Sequence, residues 1–396
     1  MADWSDLEAA AAAGVINAEQ VAPLHEFLAT RAASTPTAAT IPALPGEENL
    51  RFIRNFHDGF LAIGILLLAG GMATSIGTIV AGSASPEQGT MMTGALCAVA
   101  VVVMWLLGEF FARRRRLFLP AIAIVLTMTL FAIVAGATLY AGAVLGENFE
   151  TSPANLEAMP PELRVGILLA MALAVITPLA FYLRFRLPFS LGLAGAGAAT
   201  LVIVACLIAN YEVTIGTLPA LYLVLGTLLF LAGVAFDARD PERATRLSDN
   251  GFWLHFAAAP LILNGAFGLI GQVLNGGETS TAGMIAAAGS NEGAAAAAQA
   301  SATLLVILVL GAISLLINRR ALIVSALLTA GIAIGALLNA AGLGAGALAA
   351  ATLITLGAFV LILGAGWHCV RRALLGWVKP DGVWARIFPP EQPATA

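Results

Sequence analysis

His255 is the residue whose type and place most invite chemistry. It lies in the run Asp237–Pro260, DARDPERATRLSDNGFWLHFAAAP, about one turn inside an apolar stretch. An imidazole can accept, donate or relay a proton. An ionisable side chain inside a membrane segment is a functional site by default. Trp253 precedes it, and Pro260 and Asn264 follow. Nine residues do not return Asn264 to the face of His255 on a straight helix. Pro260 between them allows a kink, provided that neighbours satisfy the carbonyl it frees. The competing reading is a histidine at the inner edge of the segment, meeting water or lipid phosphate.

The block before His255 interleaves Asp237, Asp240, Glu242 and Asp249 with Arg239, Arg243 and Arg246. Glu242 and Arg246 stand four apart in the favourable order for a helical ion pair. Asp240-Pro241 reads as a helix opening with proline in the first turn. Asp237 and Asp240 offer two oxygen ligands without a His/Cys cluster or a calcium loop, which is too little for a metal. The block therefore reads as a solvated, self-neutralising helix. Glu109 stands four residues before Arg113 at the end of another apolar run, as a paired carboxylate at the interface. His368 beside Cys369 cannot supply a tetrahedral set, because two adjacent ligands do not surround an ion. The chain has four histidines, and no Walker motif, His-Glu-x-x-His or nucleophile elbow. We therefore expect no catalytic residue, cofactor or metal, and no enzyme. His255, Asn264, Glu109, Asp249 and Trp253 are the candidate functional residues.

The elements that carry these residues follow from composition. Of 396 residues 60% are hydrophobic and 11% charged, with a mean hydropathy of +0.92. Soluble domains carry roughly 25% charged residues, and a water-soluble core cannot absorb this much apolar surface. The lipid bilayer is the expected partner. Nucleic acid is excluded, since no basic face exists outside short loops. The three cysteines, Cys97, Cys206 and Cys369, lie in or at the end of apolar runs, which argues against disulfides. The acidic, Ala-rich start lacks the basic region and apolar core of a signal peptide, so the first span is expected to serve as an uncleaved anchor.

Ten runs are long enough to cross about 30 Å of hydrocarbon: 59–81, 91–112, 117–145, 165–184, 188–209, 217–236, 252–274, 300–318, 321–340 and 347–370. The third is long enough to tilt or to extend beyond the bilayer. The expected fold is an all-α polytopic membrane protein: a helical pair at 1–33, a linker and interfacial helix at 34–58, a transmembrane domain at 59–375, and a tail at 376–396. Arg113–Arg116, Arg184, Arg186, Arg239, Arg243, Arg246, Arg319 and Arg320 fall on one side, with only Arg164 among the 19 basic residues on the other. The positive-inside rule then places both termini in the cytoplasm of a bacterial inner membrane.

In the first 33 residues, Ser5 and Glu8 have capping-box spacing, Gly14 stops the first helix, and Asn17 with Gln20 opens the second. Leu7, Val21, Leu24, Phe27 and Leu28 can form a seam. This pair is too small to be stable alone and is expected to dock on the membrane domain or on a protein partner. The tight basic turns RRRRLFLP, RFRLPF and RRALIV repeat between spans. A five-plus-five duplication would make the halves inverted, as in many secondary transporters.

Gly14-Val-Ile16 followed by Glu19-Gln20 resembles the start of a bacterial membrane family known as domain of unknown function 2157. The block Asp240-Pro-Glu-Arg…Phe252-Trp-Leu-His255-Phe-Ala-Ala-Ala-Pro260 resembles a segment of alphaproteobacterial multi-pass proteins. The resemblance covers under a fifth of the chain and implies an inner-membrane protein with no catalytic residue to transfer. Two functions follow as expectations: a transporter or translocator for a small molecule or lipid, or a non-transporting scaffold or sensor that recruits a partner through its N-terminal helices.

Overall fold

The computed structural model describes residues 4–26, 56–145, 159–240 and 246–275, with a few scattered residues between 305 and 373. Every regular element among them is helical. The spans at 321–340 and 347–370, most of 300–318, the linker, the Gly276–Ala298 stretch, His368, Cys369, Asn339, the Glu242–Arg246 pair and the tail lie outside the described residues. The chain falls into two compact units, Met1–Leu44 and Pro45–Ala396.

In the first unit, α1 (Trp4–Ala12) begins before Ser5, so Ser5 is inside the helix and not its cap. Gly14 then takes a φ of +73°. Its N–H reaches the carbonyl of Ala11, and that of Val15 reaches the carbonyl of Ala10, both at 3.0 Å. This pair of bonds is a Schellman stop, which needs the left-handed residue that glycine supplies. Asn17 donates its backbone N–H to Gln20 Oε1 at 3.0 Å, the reciprocal bond of a capping box. A turn at Ala18–Gln20 leads into helical residues 21–26. Leu7 and Val21, expected in the seam, are buried.

The second unit has seven helices long and apolar enough to cross a membrane among the described residues. They are α2 (Phe56–Ala81), α3 (Pro86–Gly108), α4 (Phe118–Tyr140), α5 (Pro161–Phe185), α6 (Pro188–Ala209), α7 (Tyr211–Asp237) and α8 (Arg246–Asn275). They follow the first seven apolar runs. Residues 56–58, expected to end a separate interfacial helix, already belong to α2. Large apolar side chains stand exposed along the bundle, among them Leu67, Leu106, Leu130, Leu183 and Leu228. Such a surface fits hydrocarbon rather than water.

The third run is the central post of its half. In α4, 56% of the apolar window is buried, against 11% in α2, and it touches α2, α3, α5 and α6. Its Ile124, Val125 and Met128 meet Met104 and Ala100 of α3, Phe181 of α5 and Leu187 before α6. Thr127 and Thr129 return their hydroxyls to Ala123 and Val125 at 2.8 and 2.7 Å, so they bury no unsatisfied donor.

Two arginine turns close the same end of the bundle. After α3 the chain widens into a π turn, Glu109–Arg114, and Arg116 takes a φ of 52°. After α5, Arg186 takes a φ of 54° and its N–H caps the carbonyl of Tyr182 at 2.8 Å. A left-handed turn favours glycine, and a larger residue is strained there by about 1–2 kcal/mol. In neutral detergent, Arg116→Gly is expected to raise stability by roughly 0.5–1 kcal/mol, the relief exceeding the added chain entropy. Thermal unfolding of the two proteins side by side measures it.

Candidate functional site

The closest helix pair is α7 with α8, an antiparallel hairpin held by glycine. A Cβ on Gly265 would stand 2.5 Å from the nitrogen of Leu223 and 2.7 Å from the carbonyl of Pro219. One on Gly226 would stand 2.8 Å from the nitrogen of Ile262, and one on Gly268 would meet the Pro219 ring at 2.6 Å. Small residues let backbones approach in this way. Their spacing sets the register: Gly226 and Gly233 on α7 are seven apart, as are Gly251, Ala258 and Gly265 on α8. A seven-residue repeat keeps one seam facing its partner in a left-handed pair. Gln272 closes the far end, its amide donating to the Gly216 carbonyl at 3.0 Å, one turn before Pro219.

At the near end this register sets Asp237 opposite Gly251 and Gly233 opposite His255. His255 Nε2 lies 3.1 Å from Asp237 Oδ2. The imidazole is 0% exposed and Asp237 4%. Both glycines are required by the pair. A Cβ on Gly233 would stand 2.9–3.0 Å from three atoms of the imidazole, and one on Gly251 would run into the Asp237 carboxylate. Phe230 lies against the ring, centroids 4.8 Å apart. Ala259, one turn along from His255, is buried with Phe230, Ile313 and Ile317. With the carboxylate as acceptor, Nε2 is the donor and Nδ1 is left as a lone pair. Nδ1 is buried and has no hydrogen-bond partner.

This overturns two expectations. His255 does not meet water or headgroups at the edge of its span; it is sealed between two helices. The described residues of the block before His255 are not all solvated, since Asp237, Asp240, Ser248 and Asn250 are buried. Burying such groups is costly unless they are paired, and Asp237 has its partner in His255. Among the described residues no group of three His, Cys, Asp or Glu is placed to hold a metal.

The other candidates go elsewhere. Asn264 donates its amide to the Pro260 carbonyl, one turn back in its own helix, at 2.7 Å. Trp253 faces the opposite neighbours: its ring meets Phe189 of α6 edge-on at 4.8 Å and stacks towards Phe118 of α4 at 6.5 Å. A Cβ on Gly192 would stand 2.7 Å from its carbonyl, so α6 crosses α8 there. Asp249 is half-buried in the first turn of α8, where the helix dipole favours a carboxylate. Glu109 accepts from Arg113 at 3.2 Å and also from Arg184 of α5 at 2.6 Å. Asn250 donates to the Tyr182 hydroxyl of α5 at 2.7 Å. Sequence reasoning missed Asp237 as a partner, along with Arg184, Tyr182 and Asn250. The seven-residue glycine repeat was the signal that could have found the first.

Among the described residues the geometry therefore offers one buried His–Asp pair, closed to solvent. Comparison with protein-family models, with curated proteins and with solved structures finds no match, and the reading of this site rests on its geometry.

Proposed function

We propose that this chain is a non-enzymatic membrane carrier that moves a small molecule or a lipid and responds to protons through the His255–Asp237 pair. The arginine-bearing end of the bundle faces the cytoplasm in this reading, by the positive-inside rule. The observation that carries the proposal is the buried imidazole. Intramembrane ionisable residues that face the bundle interior and pair with each other mark ion pathways and proton relays. A second proton on this imidazole would place a buried N–H at Nδ1, beside Gly233 and the Phe230 ring, with no hydrogen-bond acceptor. A buried donor without a partner costs about 1–3 kcal/mol. Protonation thus favours any arrangement that brings water or a polar group to Nδ1, which is how a proton biases a two-state element.

The test is proton uptake into proteoliposomes holding an internal pH dye, under an imposed potential, against a panel of solutes and labelled lipids. Uptake coupled to one of them in the native protein, and abolished in His255→Asn, is the expected result. If no solute or lipid moves above protein-free vesicles, the carrier reading fails. The second reading then takes its place: a scaffold or sensor whose first unit recruits a protein partner. The observation favouring that reading is that Met1–Leu44 forms a compact unit of its own, with a glycine stop and a reciprocal cap.

A further inference from the structure

The arginine end of α3 and α5 holds more positive charge than the carboxylates paired with it among the described residues neutralise. Glu109 is shared between Arg113 and Arg184. Arg115 lies over the Phe110 ring at 5.5 Å and Arg186 over the Tyr182 ring at 5.8 Å. Neither they nor Arg114 and Arg116 form an ion pair with a carboxylate among the described residues. All six guanidinium-bearing residues are exposed. Two of them, Arg116 and Arg186, occupy left-handed turns where glycine would be relaxed.

Beside this charge is an open pocket of about 690 Å³, lined by Leu106, Glu109, Phe110, Arg113 and Arg114. Its chemistry is graded along the helix axis. Arg113 and Arg114 stand at the bundle end, and one and two turns deeper come Phe110 and Leu106, 41% and 62% exposed. Leu106 continues the apolar surface of α3. A ligand matching this gradient has an anionic head and a hydrocarbon tail that stays in the bilayer. Glu109, the acid among the described lining residues, is already paired with two guanidinium groups, so its charge is offset before such a head arrives.

We propose that this pocket binds one acidic phospholipid, its phosphate met by Arg113 and Arg114 and its acyl chain lying along Phe110 and Leu106. Charge complementarity selects the headgroup, and the exposed apolar wall selects a lipid over a free anion. The site stands whether or not the chain moves a solute, since it lies at the arginine end of α3, and His255 is buried between α7 and α8.

The full-length protein in neutral detergent tests it, by native mass spectrometry with phosphatidylglycerol, phosphatidylcholine or inorganic phosphate added. One phosphatidylglycerol is expected to stay bound where phosphatidylcholine does not, and matched inorganic phosphate should not displace it. Arg114→Gln is expected to weaken that binding about fivefold, the usual worth of one basic residue near an anionic lipid. Glu109→Gln should strengthen it, because it releases two guanidinium groups; a purely structural role for Glu109 would give no increase. Equal retention of both lipids, full displacement by inorganic phosphate, or an unchanged affinity in Arg114→Gln would each overturn the proposal.

Discussion

Gly265→Val is expected to break the α7–α8 hairpin and cost about 3 kcal/mol or more, at the upper end of what overpacking does. The atoms that a Cβ would meet are the nitrogen and Cα of Leu223 and the carbonyl of Pro219, all within 3 Å. They are backbone atoms, so no rotamer change can relieve the clash; one helix must move bodily. That motion would also stretch the Gln272 bond to the Gly216 carbonyl and part Gly226 from Ile262. Gly64→Val is the control. Nothing lies within 4 Å of a Cβ there, and such surface changes fall within roughly 0.5 kcal/mol. Thermal unfolding in detergent and the yield of monodisperse protein separate the two. Equal behaviour would refute the register.

The second large effect is a coupling between His255 and Asp237. Removing either partner of a buried, hydrogen-bonded pair takes away a bond that the other made in place of water, at a cost of about 3 kcal/mol. Asp237→Ala and His255→Ala should each lose about this much, and the double variant clearly less than their sum. The shortfall is the interaction energy, expected to be about 1 kcal/mol or more for residues in contact. The cavities left by the two alanines appear in the single and double variants alike and largely cancel. A strictly additive cycle would mean that the 3.1 Å contact contributes nothing, and the proton-responsive reading would lose its foundation.

The bilayer-crossing runs were legible because hydropathy reports what sits in hydrocarbon. The run at 188–209 coincides with α6, whose Pro188 and Asn210 mark both ends. Several other helices begin earlier than their apolar runs: Pro86 before 91, Pro161 before 165, Tyr211 before 217 and Arg246 before 252. A helix starts at its cap, not at its first apolar residue. Ser85 accepts from the N–H of Gln88 at 3.2 Å and Asn210 from that of Val213 at 3.0 Å, so polar first turns such as Pro86-Glu-Gln are helical without being hydrophobic. The importance of His255 was legible from its residue type and place. Its partner was not, because a side chain on the neighbouring helix is found only through register. Asn264 shows how a local bond enters as well: its amide donates to the Pro260 carbonyl one turn back, a bond that residue type alone does not announce.

The glycine seam of α7 and α8 also has a mechanical meaning. Helices separated by side chains can slide, because rotamers absorb small shear movements. Two backbones in direct contact have no such lubricant, so this hairpin behaves as one stiff lever from Asp237 and Gly251 to Pro219 and Gly268. A charge added at its short end cannot be relaxed by opening the pair. The strain must pass outward, to Ile313 and Ile317 packed about Ala259 and Phe230 or to the α6 crossing at Gly192 and Trp253. Any movement driven by His255 would therefore swing the hairpin as a unit against its neighbours, with Gly192 as the natural fulcrum.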